Sequence, residues 1–142
     1  MKTSVHYLPF VLALIAVLWC VWIGVRIWTT PLVWEGVVAQ TTEDGVRQPP
    51  ATIREVRSFR DISHLSYFPL AIPVLLAAWA ALVARLRAPA FLTGIVLLFL
   101  GYVFIAGFSI GGAYHGAAAL LGIAALADIA LSRWEARRLA EA

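Results

Sequence analysis

Between Arg87 and Asp128 the chain runs forty residues, Ala88 to Ala127, without an Asp, Glu, Lys or Arg. A helix needs about 20 apolar residues to cross the hydrocarbon of a bilayer, so this run holds two spans rather than one. Its middle, Gly107-Phe-Ser-Ile-Gly-Gly-Ala-Tyr-His-Gly116, is rich in glycine and carries the only imidazole of the run. Glycine accepts the backbone of a tight turn at little steric cost. The run reads as a transmembrane hairpin.

Two further segments are long enough to span. Leu8 to Val25 and Leu65 to Ala84 are both free of charge. The first exceeds the 7–15 apolar residues of a signal peptide, and no Ala-x-Ala site follows it. Trp19, Trp22 and Trp28 suit a retained helix that ends in an aromatic belt. Pro69 and Pro73 fall in the first turns of the second, where proline costs little; deeper in, it kinks. Pro89 restarts the chain after Arg85-Leu-Arg87 as a good first helical residue. The predicted spans are about 8–28, 65–86, 89–108 and 112–132, with Ser132 to Ala142 continuing the last helix into the interface. The predicted fold is an all-α integral membrane protein: one domain of four transmembrane helices in two hairpins.

Composition agrees. The chain has 142 residues, 62% hydrophobic and 13% charged, with a mean hydropathy of +0.86. Soluble domains are closer to half apolar and a quarter charged. The net charge of +3 comes from ten Arg and one Lys against eight acids. These arginines flank apolar spans, so topology and anionic headgroups explain them without nucleic acid. Cys20 is the only cysteine, so neither an intrachain disulfide nor a Cys/His metal pattern is available. The Arg and Ala bias suggests a bacterial protein.

Residues 29–64 form the extramembrane cap. Gly36 to Thr42 has strand formers, Asp44-Gly45 is a hairpin signal, and Pro49-Pro50 interrupts any ladder. Thr52 to Asp61 is ambiguous: Thr52 and Glu55 suit a capping box, while Thr, Ile, Val and Phe suit a strand. A β-hairpin is one form the cap can take. The uncharged third-to-fourth turn, the Arg85/Arg87 hairpin and the basic tail orient the chain in a bacterial inner membrane. Both termini are then cytoplasmic and residues 29–64 outside.

Three features are candidates for function. Gly107, Gly111, Gly112 and Gly116 have the small-xxx-small spacing that lets helices approach closely, either within the bundle or against a partner. His64 and His115 stand at one membrane surface and would be the ligands of a haem, quinone or lipid; otherwise they are interfacial histidines with wet tips. Asp128 is an intramembrane charge, best explained by pairing with Arg85, Arg87 or Arg133. No catalytic constellation is legible, and no span carries a central acid of the sort a proton-coupled transporter uses. No cofactor is implied.

The long first outer loop resembles claudin-like and vitamin K epoxide reductase architectures. The loop has Trp34-Glu-Gly36 without the paired cysteines of either, so no activity carries over. The expected role is a non-enzymatic accessory or structural subunit of a larger membrane complex. Its partners are membrane lipids and other subunits or further copies of itself. The alternative is a binder at the outer interface through His64 and His115.

Overall fold

The computed structural model describes residues 5–38, 51–58, 68–106 and 111–141. Among them are four α-helices: α1 (Leu8–Thr29), α2 (Phe68–Leu86), α3 (Pro89–Ile105) and α4 (His115–Ala140). Three apolar helical stretches, Leu8–Thr29, Phe68–Leu86 and Gly112–Ala140, are long enough to cross a membrane; α3 is apolar but has 17 residues. The chain divides into two compact units: Met1–Val25 with Phe68–Ala142, and Arg26–Tyr67.

In the first unit the helices run alternately up and down. A two-residue link joins α2 to α3. It is a Schellman closure, with Arg87 N–H donating to the Ala84 carbonyl (3.3 Å) and Ala88 N–H to that of Val83 (3.4 Å). That closure needs a left-handed residue, and Arg87 takes it at φ 55° where glycine is usual. Pro89 opens α3 at its first turn, and the Thr93 hydroxyl donates back to its carbonyl at 2.8 Å. Arg87 meets Glu135 near the end of α4, so α4 runs antiparallel to α3.

The packing pairs small residues with large ones. From α2 come Ala77, Ala80, Ala81 and Ala84, and from α4 Ala117, Ala118, Ala124 and Ala125. Between them α3 inserts Leu92, Ile95, Val96, Phe99 and Val103. The buried edge of α1 is Pro9, Ala13, Ala16 and Cys20, a stripe at helical spacing. Large apolar residues face outward instead: Phe91 is 72% exposed, Phe104 83% and Ile105 82%. Water would penalise that order of hydrophobicity, whereas lipid accepts it: between lipid-embedded helices small residues supply close packing and outer Leu and Phe meet chains as apolar as themselves.

The second unit contains an antiparallel pair, β1 (Pro31–Val38) and β2 (Ala51–Ser58), in register from Pro31 opposite Ser58 to Val38 opposite Ala51. The helical option for 52–61 is not taken over Thr52–Ser58. The ladder supplies backbone partners, and β-branched Thr52 and Val56 fit the pleat. Val33 and Val56 face each other across the strands, both exposed. Glu55 and Arg57 form an exposed ion pair at 2.9 Å. The Asp44-Gly45 turn lies outside the described residues.

Helix bounds differ from the sequence reading at two places. α3 ends at Ile105 rather than 108: the Ala106 N–H still makes the helical bond to the Tyr102 carbonyl at 2.9 Å, but Ala106 itself leaves helical geometry, with ψ 0°. A 3-10 turn, Gly111–Tyr114, leads into α4. From Ser132 onward α4 continues as expected, to Ala140; its last turns are rich in Ala, Arg and Glu, which are good helix formers in any solvent.

Candidate functional site

The polar residues of the first unit gather at two levels. At the level of the α2–α3 link, Glu135 Oε1 lies 3.2 Å from Arg87 and 3.2 Å from His6 Nδ1, so three separate chain segments converge on one oxygen. Arg87 donates a hydrogen bond there. His6 Nδ1 is close but not aligned as a donor, which makes its contact electrostatic at most. Side chains 26–46% exposed place both pairs in the range of about 0–1 kcal/mol.

Asp128 lies seven residues before Glu135, about two turns or roughly 10 Å deeper along α4. It continues the inward stripe Ala117, Leu121 and Ala124 and is 3% exposed. Its Oδ2 has no hydrogen-bond partner among the described residues. No direct ion pair joins Asp128 to Arg85, Arg87 or Arg133 among the described residues: Arg85 and Arg133 are exposed, and Arg87 pairs with Glu135 and reaches Asp128 only through its longer-range field. Asp128 projects into the bundle, so a cation on the surface of α4 cannot follow it there. The Ser132 hydroxyl donates to its backbone carbonyl at 2.9 Å, an intrahelical bond that does not involve the carboxylate.

At the other level, Tyr114 is fully buried and its hydroxyl also lacks a partner among the described residues. It lies against Gly24 of α1, where an added Cβ would sit 3.7 Å from the phenol oxygen. Cys20 is buried on the same helix. Tyr102 is satisfied: its hydroxyl donates to the Pro69 carbonyl. That carbonyl has no intrahelical donor because residue 73, four positions on, is proline. A cross-helix side chain therefore replaces the bond that Pro73 removes.

The sequence-predicted residues fall as follows. Gly116 packs under Trp19 of α1, where a Cβ would meet the indole at 3.0 Å, so this glycine permits helix contact inside the bundle. Gly112 is exposed, and Gly111 lies in the 3-10 turn. His115 is exposed, with Nδ1 2.5 Å from the Gly112 carbonyl; that contact makes Nδ1 the donor and leaves Nε2 uncommitted. His64 and Gly107 lie outside the described residues. No group of three or more His, Cys, Asp or Glu assembles into a metal site among the described residues.

Sequence reasoning missed two outward features. Gly94 and Gly101 are exposed, one heptad apart on α3, with nothing within 4 Å of an added Cβ. With Leu98 and Ile105 they form a stripe on the outer side of the helix, and Gly94 lies in a groove of about 510 Å³ lined by Trp79, Val83, Phe91, Ile95 and Leu98. The signal was present as Gly94-x6-Gly101 within a Leu-rich helix. A second groove, of about 340 Å³, lies on α4 among Leu126, Ile129, Ala130, Arg133, Trp134 and Arg137. Comparisons with protein-family models, curated proteins and solved structures give no match.

Proposed function

We propose that the chain crosses a bacterial inner membrane four times, as two hairpins with residues 29–64 outside. In this reading it serves as a non-enzymatic accessory subunit of a larger membrane complex. At 17 residues, α3 is about 25 Å long, at the short end of what spans; its antiparallel place between α2 and α4 supports counting it. One observation carries the subunit reading. The stripe Gly94, Leu98, Gly101 and Ile105 presents two glycines outward, where they do nothing for the bundle's own packing. Small residues at heptad spacing on an outer helix face let a partner backbone approach closely.

The test is purification from native membranes in mild detergent, comparing wild type with Gly94→Ile/Gly101→Ile. Stoichiometric partners that disappear in the variant, while the helical signal stays unchanged, are expected. A chain that migrates alone as wild type would end the subunit reading.

His115 favours a second reading, a binder of haem, quinone or lipid at the outer interface together with His64. Ligating histidines commonly donate their other N–H to a carbonyl, and Nδ1 of His115 is so placed against Gly112. An absorbance band in the purified protein that is lost in His115→Ala is the expected sign. A colourless protein with unchanged extracted lipids and quinones in both forms removes it.

A further inference from the structure

Charge on α4 is segregated. Glu135 turns toward His6 and Arg87, while Arg133 and Arg137 line the groove on another side of the helix. They stand four residues apart, an arrangement in which like charges repel unless an anion lies between them. Among the described residues no carboxylate pairs with either. Arg138 is not part of the groove; its guanidinium stacks on Trp134, 3.8 Å from the ring centroid. Below the arginines the groove is apolar, floored by Leu126, Ile129 and Ala130.

We propose that this groove binds a phospholipid with an anionic headgroup, its phosphate between Arg133 and Arg137 and an acyl chain along Leu126, Ile129 and Ala130. Arginine suits phosphate because its planar fork donates two parallel hydrogen bonds. Trp134, with one apolar body and one N–H, belongs at the depth of the headgroup. From Leu126 to Arg137 the helix rises about 16 Å, which takes the groove from acyl chains to headgroup. An acidic protein segment would match the arginines but not the apolar floor. The inference rests on α4 being membrane-embedded and requires no partner subunit.

The test is native mass spectrometry of the full chain, delipidated in detergent, with phosphatidylglycerol or phosphatidylcholine of identical acyl chains. Each basic residue near an anionic surface strengthens binding about five-fold, so Arg133→Gln/Arg137→Gln should weaken the phosphatidylglycerol complex about 25-fold. Phosphatidylcholine binding should be unchanged. Arg85→Gln, an exposed arginine outside the groove, should bind as wild type. Ala130→Trp keeps both arginines but fills the groove and should lose the lipid. Circular dichroism on each variant establishes that the helices are intact, and should the double variant unfold, Ala130→Trp and Arg85→Gln decide the matter. Equal binding of the two lipids by wild type, or an equal loss in Arg85→Gln, overturns the site. So does displacement by inorganic phosphate at equimolar concentration. Release of the chain from membranes by alkaline carbonate would instead refute the membrane reading beneath it.

Discussion

Replacing Tyr102 by Phe removes one oxygen and tests how α2 tolerates Pro73. The Pro69 carbonyl would ordinarily accept from the N–H of residue 73; proline has none, and the Tyr102 hydroxyl donates in its place. Leaving a buried carbonyl unsatisfied costs about 1–3 kcal/mol. Hydrogen bonds between membrane helices measured by double-mutant cycles average about 0.6 kcal/mol and reach about 1.7. The partly buried Tyr102 belongs with the second range, so Tyr102→Phe should destabilise by about 0.6–1.7 kcal/mol. Pro73→Ala restores an N–H that can close the intrahelical bond. In that background Tyr102→Phe should cost close to nothing. The wild type, both single variants and the double variant would be unfolded by sodium dodecyl sulfate in mixed micelles and followed by circular dichroism. A coupling energy about equal to the Tyr102→Phe cost is expected. If the two substitutions are additive, the hydroxyl is not standing in for the missing N–H, and the reasoning fails.

The same unfolding assay checks five further substitutions. Gly122→Ala, with nothing within 4 Å of its new methyl, should stabilise α4 by about 0.5–1 kcal/mol; Gly116→Leu, driven into the Trp19 ring, should destabilise by about 1–3 kcal/mol. Arg87→Gly should be at least as stable as wild type, because relief of the left-handed backbone offsets loss of an exposed ion pair. Arg87→Val should lose about 1–2 kcal/mol. Asp128→Asn should stabilise by about 1 kcal/mol or more, since its carboxylate is buried with one oxygen unpartnered; a loss of stability would mean that attraction to Arg87 outweighs the cost of burial.

How far the sequence reaches follows from the range of the forces involved. Crossing a membrane is decided by transfer from water, a sum over neighbouring residues, so the uncharged runs at Leu8, Leu65 and Ala88 announce the helices directly. Pro89 as a helix opener is equally local, because its missing N–H lies at a position that has no partner to lose. The contacts that define the candidate sites are not local. Glu135 meets His6 and Arg87, and Tyr102 meets Pro69, 33 residues away, only because the helices alternate in direction. Within α4 the facing of each residue required the packing. Asp128 reads as a charge near a basic helix end when position is counted along the axis. Counted around the axis, it follows Ala117, Leu121 and Ala124 into the interior. Glycine spacing behaves likewise: Gly116 lies against Trp19 while Gly94 and Gly101 face open space, a division that spacing cannot encode.

That division bears on how the chain uses its surface. In a membrane, Phe104 or Ile105 facing outward states only that lipid lies there, because lipid and leucine are equally apolar. Outward glycine is more informative. It gives up helix propensity, about 1 kcal/mol per residue relative to alanine, and fills no space inside. On α3 this occurs twice on one face at heptad spacing, while on α4 Arg133 and Arg137 share a groove that no acid lines among the described residues. Each face carries a local cost that an external group would offset, a close-packed helix in the first case and an anionic headgroup in the second. The two proposed occupants would respond to different perturbations. Bulk at Gly94 and Gly101 should remove a protein partner and leave lipid preference intact, whereas neutral residues at Arg133 and Arg137 should do the reverse. A single variant that abolishes both would show one shared interface in place of two.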